Sequence, residues 1–261
     1  MTALALLWRH RRILWTTTVS DMRARYRASL LGTMWLVLYP ALFLATYASV
    51  FVWVLRIRVG TLDTAEYVLL IFCGLVPFLG FAESLSAGVG SVVSNPGLVK
   101  NTLFPIDLVP AKSTLMSHAT VVVGLSVLAM LLAVSGRAGW YLSLAPVVLA
   151  LQLGLTLGVV WLISALNVFF RDLTHVVSVL VLVLMLASPI GYTEEMIPPG
   201  LRMVARLNPL YYLIGTYREL MLFDRLPPIG LAGPLVVTAL GSLVVGYWVF
   251  SRLRPMFADH V

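Results

Sequence analysis

Cysteine, charge and histidine are scarce in this chain, and each scarcity excludes something. The single cysteine, Cys73, lies inside an apolar run, so neither an intrachain disulfide nor a thiolate metal cluster is available. Charged residues make up 11% of the 261 residues against 60% hydrophobic ones, and the mean hydropathy is +0.97, which excludes a water-soluble globular domain. The four histidines, His10, His118, His175 and His260, are scattered, and no HExxH, GxSxG or GxxxxGK[ST] pattern occurs. No catalytic or metal site is expected, and ATP hydrolysis by this chain alone is not. Active transport would draw on a separate ATPase or on an ion gradient.

What is abundant is long apolar sequence. Runs over 31–55, 67–93, 113–134, 141–168, 176–192 and 229–250 are each bounded by charge, Gly or Pro. At about 20 residues per crossing they predict an all-α, polytopic integral membrane protein with six transmembrane helices in one domain, residues 1–261. The fifth run, 17 residues long, is the shortest. Eighteen Lys and Arg outnumber 11 Asp and Glu, but they are dispersed between these runs, which reflects membrane topology and not a nucleic-acid surface. With a cytoplasmic N-terminus, Arg9, Arg11, Arg12, Arg23, Arg25, Arg27, Lys100, Lys112, Arg171, Arg252 and Arg254 lie inside. Arg56, Arg58, Arg137, Arg202, Arg206, Arg218 and Arg225 then lie outside, so both termini are expected to be cytoplasmic.

Residues 1–28 place Arg9, Arg11 and Arg12 after their apolar opening, the reverse of a signal peptide. They read as an interfacial helix with Trp8 and Trp15 as anchors. Residues 193–223 hold too many charges to cross lipid, yet Pro198-Pro199 and Asn208-Pro209 can each start a helix, and Leu210, Leu213, Ile214, Tyr217 and Leu220 recur at helical spacing. Two short re-entrant helices on the outer side, before the last span at 229–250, are expected.

Three groups of residues carry candidate function. Trp35, Tyr39, Phe43, Tyr47 and Phe51 recur every fourth residue in the first span, a ladder of rings fit either to stack on sugars or to pack helices and form an interface belt. Asn95-Pro96 through Lys100, Phe104, Pro105 and Asp107 form a cytoplasmic segment, either a docking surface or a turn with a short helix. Arg171-Asp172 either belongs with that segment or ends the fourth span with a paired charge. Glu83 is the one carboxylate deep in an apolar run, and a paired role suits it better than a proton relay.

Arg25-Tyr26-Arg27-Ala28-Ser29-Leu30-Leu31-Gly32 leading to Trp35 and Pro40 resembles the start of permease subunits of type-2 ABC exporters for polysaccharides. The stretches Asn95-Pro96 to Phe104-Pro105, Asn167 to Asp172, Ser188-Pro189-Ile190-Gly191-Tyr192, Asn208-Pro209 and Tyr217-Arg218 follow in the family's order. The resemblance implies a homodimer driven by two separate nucleotide-binding subunits, which hold the ATP and Mg while this chain binds no cofactor. It also implies export of a lipid-linked polysaccharide (O-antigen, capsule or teichoic acid) across the cytoplasmic membrane, and leaves room for periplasmic or outer-membrane export partners. On it, Trp35 to Phe51 line the polysaccharide path. Asn95, Lys100, Phe104, Pro105, Asp107, Arg171 and Asp172 couple to the ATPase, and Pro189, Tyr192, Asn208, Pro209, Tyr217 and Arg218 form an outer gate. A drug or small-lipid exporter on the same scaffold, and a gradient-driven carrier, are the alternatives; no inverted repeat supports the second.

Overall fold

The computed structural model describes residues 3–27, 29–54, 56, 63–100 and 105–260, and among these the regular elements are all helical. In chain order they are α1 (Ala3–Arg9), α2 (Arg11–Arg27), α3 (Trp35–Ser49), α4 (Thr64–Val89), α5 (Pro96–Lys100), α6 (Leu108–Val134), α7 (Ala145–Phe169), α8 (Leu173–Ala187), α9 (Pro199–Leu207), α10 (Pro209–Met221) and α11 (Ile229–Leu253). A π-helical turn, Val50–Val54, continues α3.

Five of the six expected spans are long and apolar enough to cross a membrane: Gly32–Val54, Thr64–Val89, Leu108–Val134, Trp140–Phe169 and Ile229–Phe257. The run expected at 176–192 instead gives α8, whose 15 residues cover about 22 Å, because the chain leaves the helix at Ser188-Pro189. The third span starts earlier than its charge suggested: Lys112 sits inside α6, where Asp21 of α2 neutralises it. The second starts at Thr64 because Asp63 and Glu66 close a capping box, Asp63 Oδ1 accepting from Glu66 N at 2.7 Å and Glu66 Oε2 from Asp63 N at 2.8 Å. The N-terminal helix is not continuous; a turn at His10 divides it into α1 and α2, with Trp8 and Trp15 both exposed.

Helix α4 is the hub. In its apolar stretch 83% of residues are buried by protein, against 11% in α3 and 22% in α11, so α4 is surrounded by protein while α3 and α11 present most of their surface outward. Helices α3, α6, α7, α8 and α10 all pack on it. Helices α7 and α11 run together at backbone distance: a Cβ on Gly246 would fall 1.9 Å from the Gly158 carbonyl oxygen, and one on Gly158 would strike Ser242 backbone at 2.2 Å. Such small residues let helices close without a hydrophobic driving force, which lipid does not supply.

The ion pairs define two ends. At one, α2 crosses α4 and α6 through Arg25–Glu83 and Asp21–Lys112, and Arg254 after α11 meets Asp107. At the other, Arg137 pairs with Glu66, and the 188–228 segment folds over α4 and α7.

Candidate functional site

The aromatic row of α3 changes character along its length. Trp35 and Tyr39 are exposed, while Phe43, Tyr47 and Phe51 are half-buried against the core. The Tyr39 and Phe43 rings are tilted at a centroid distance of 5.2 Å, and Tyr47 and Phe51 stack at 4.7 Å. Phe51 lies so close to Gly191 that a Cβ there would come within 2.4 Å of its ring, which ties this end of the row to the 188–192 loop. Trp35 and Tyr39 instead line a cleft of about 290 Å³ with Arg25, Glu83 and Thr120. In it Glu83 accepts from Arg25 Nη1 at 2.8 Å and from Thr120 Oγ1 at 3.4 Å. A carboxylate so paired is a poor proton relay.

Around α5 the residues have unlike surroundings. Pro96 opens α5 and the Asn95 side-chain amide donates to Ser91 O at 2.8 Å. Lys100 closes the helix, and the Lys100 side chain and Phe104 lie outside the described residues. Pro105 is half-buried, and Asp107 is wholly buried. Arg254 Nη1 donates to Asp107 Oδ2 at 2.8 Å and Trp161 Nε1 to Asp107 O at 3.0 Å, so this residue ties α6, α7 and the C-terminal turn together. Arg171 and Asp172 are exposed in the turn between α7 and α8, and among the described residues they form no ion pair, so the expected paired charge is not made.

Six residues expected at the opposite end converge on one structure. Asn208 caps α10, its Oδ1 accepting from Leu210 N at 3.0 Å, while its Nδ2 donates to Ser188 Oγ at 2.9 Å; Pro209 occupies the first helical position. Further along α10, Arg218 is 6% exposed, and its Nη2 and Nη1 donate to Ile190 O at 2.8 Å and Tyr192 O at 3.0 Å. Tyr67 Oη adds a bond to Gly191 O at 2.6 Å, and Tyr192 Oη donates to Ala187 O at 2.9 Å. Three consecutive carbonyls after Pro189 are thus held by side chains, which answers the hydrogen-bonding demand of buried irregular backbone. Tyr217 Oη donates to Gln152 Oε1 at 3.0 Å, and Gln152 Nε2 reaches Pro77 O at 3.0 Å.

Beside this clamp opens a cavity of about 500 Å³ with Pro189 in its wall. Near its mouth Glu194 meets Arg206 at 2.8 Å, and hydrogen bonds from Tyr211 and Arg206 hold its carboxyl below the usual carboxylate range. Among the described residues no group of three or more His, Cys, Asp or Glu is placed to hold a metal.

Residues 12–222 match the family described as ABC-2 type transporter. An O-antigen export system permease protein of Klebsiella pneumoniae is 30% identical over 245 residues, 93% of this chain and 92% of that protein. A protein of the same description from Myxococcus xanthus is 29% identical over 98% of this chain and 97% of its own length. The polysialic acid transport protein of Escherichia coli is 23% identical over 76% of this chain and 77% of its own.

Proposed function

The chain belongs to the ABC-2 type transporter family, and from that we propose that it is the membrane-spanning subunit of an ATP-driven exporter of a lipid-linked polysaccharide. The observation that carries this reading is a likeness to O-antigen export permeases that runs over more than nine-tenths of both chains, on a scaffold of apolar helices. Two copies form the conduit, and two nucleotide-binding subunits supply ATP hydrolysis. In this arrangement α8 is the fifth of six spans, its 15 residues extended by the loops at its ends. The α2 end is cytoplasmic and both termini lie there. Helices α9 and α10 sit at the outer face and reach partly into the membrane, α10 under the cover of α4 and α7 and α9 packed on α10. The membrane is the cytoplasmic one.

The residues divide by task. Trp35 and Tyr39, exposed on α3, are the members of the aromatic row free to stack on sugars, whereas Tyr47 and Phe51 mainly hold α3 to the outer loop. A row of weak contacts suits a moving polymer, because each unit can leave one ring as the next arrives. Helix α2, α5 and the exposed Arg171-Asp172 turn present a surface to the ATPase; Asp107 and Arg254 brace it from within. Movement of that surface on ATP binding would shift α2, and through Arg25–Glu83 the cleft below Tyr39. The ion pair at Glu83 supports ATP drive over a gradient-driven carrier.

The test is co-purification of the tagged chain from its own membranes in mild detergent. A complex with two copies of each subunit that hydrolyses ATP is the expected result. Recovery of the chain with no nucleotide-binding subunit, and surface polysaccharide unchanged when the gene is removed, would overturn the reading.

A further inference from the structure

The cavity between α10, the 189–195 turn and the start of α11 is a pocket whose wall holds polar groups with no partner among the described residues. Arg218 and Thr193 form part of the wall, and among the described residues the closed-off Arg218 Nε–H has no acceptor and the closed-off Thr193 Oγ1 no partner. Buried polar groups in folded proteins nearly always find a partner, so two unmet groups beside one cavity mark a wall that is incomplete as it stands. The volume, about 500 Å³, falls in the range of small-molecule sites.

The chemistry of the wall selects the ligand. Three glutamates, Glu194, Glu195 and Glu219, face three arginines, Arg202, Arg218 and Arg225. Glu219 is fixed by a two-point ion pair with Arg225, and Glu194 by Arg206. Charge on the wall is therefore balanced. A phosphate would gain from Arg218 but be repelled by the carboxylates, whereas a neutral polyol uses both: its hydroxyls donate to fixed carboxylates and accept from guanidinium N–H and Thr193. Phe223, 42% exposed with Arg225 over its ring at 5.1 Å, adds an apolar face against which sugar C–H groups can lie.

We infer that this cavity is a binding subsite for uncharged sugar units at the α10 face, separate from the α3 row and contained within one subunit. The inference rests on the exporter reading and extends it: emerging polymer is held at the exit surface by a site outside the conduit. Such a contact would bias a sliding chain against return.

The probe is an oligosaccharide cut from the polymer that wild-type cells display, titrated onto the purified full-length chain in nanodiscs. Phe223→Ala is expected to weaken its binding about tenfold, the loss of one stacking face. Thr193→Val should weaken it about fivefold, the loss of one hydrogen bond. Trp140→Ala, which alters an exposed ring at the same end outside the cavity, should leave binding unchanged. Thermal midpoints and elution profiles equal to wild type establish that the variants are folded. Equal affinity in wild type, Phe223→Ala and Thr193→Val would overturn the inference, as would failure of the wild type to bind the oligosaccharide. Binding of inorganic pyrophosphate in preference to it would do the same. If deleting the gene abolishes surface polymer while these variants bind normally, only the cavity assignment falls; if deletion leaves the polymer intact, the exporter reading falls and the assignment with it.

Discussion

Arg218 and Asp107 are buried charges near opposite ends of the helix bundle, 6% and 0% exposed, and they are held in opposite ways. Arg218 has no carboxylate among its hydrogen-bond partners; it donates to the carbonyls of Ile190 and Tyr192 and so fixes the backbone of the loop that follows α8. Asp107 has a counter-charge, but one on the half-exposed side chain of Arg254, and among the described residues its second oxygen has no partner. The first arrangement builds a rigid corner, since the cation cannot leave without orphaning backbone. The second makes a latch, since Arg254 can swing into solvent. Rigidity thus belongs to the α10 end, and the capacity to release to the end assigned to the ATPase.

The largest effect expected is that of Arg218→Met. It removes the donors to two buried carbonyls and should cost about 3–5 kcal/mol, a large share of a marginal stability. The thermal midpoint and the yield of monodisperse protein in detergent check it, and a midpoint equal to wild type would break the distinction between corner and latch. Arg254→Ala is expected to cost less, about 2–3 kcal/mol, because it strands the Asp107 carboxylate in a buried site that the half-exposed arginine had neutralised. The two cases also differ in their repair. Asp107→Asn in the Arg254→Ala background removes the stranded charge and should restore about half of the loss, a coupling readable from a double-mutant cycle. Among the described residues Arg218 has no carboxylate partner to be neutralised in the same way.

How much of this was legible in sequence depends on the range of the interaction. The apolar runs gave the helices, and Asn208-Pro209 with Leu210, Leu213, Ile214, Tyr217 and Leu220 gave α10 and its buried face, because caps and periodicity are local properties. Asp107 read as part of a cytoplasmic segment, docking surface or turn, because its partner, Arg254, is 147 residues away and carries no local mark. The span limits moved for the same reason: Lys112 looked like a boundary until Asp21 neutralised it. Gln152 was readable and was missed. An amide in the middle of the apolar 141–168 run has no local reason to be there, which is itself the signal of a buried partner. It joins Pro77 O to Tyr217 Oη, linking the rigid corner to the hub helix. Gln152→Leu should cost about 1–2 kcal/mol in the same thermal assay, and should add to Asp107→Asn but not to Tyr217→Phe, which breaks the same bond.

The smallest effect lies on the surface of the rigid end, where Glu194 and Arg206 pair while both remain largely exposed. Hydrogen bonds from Tyr211 and Arg206 depress the Glu194 pKa in the folded protein. The unfolded chain therefore binds a proton at this carboxyl first, at about pH 4.3. The contribution is fully present above that pH and is lost as the pH falls through the lower folded value. Solvent screening keeps it small, as for other exposed pairs. Glu194→Gln should accordingly lower the thermal midpoint slightly at neutral pH, with the difference from wild type closing as the buffer is taken below about pH 4. Salt should narrow the gap at neutral pH, whereas the Arg218→Met deficit, which arises from buried carbonyls, should persist in salt and at every pH where the protein stays folded. A gap at Glu194 that widens in acid would mean that the carboxyl is destabilising where it sits. The corner would then be held by Arg218, Tyr67 and Asn208 alone.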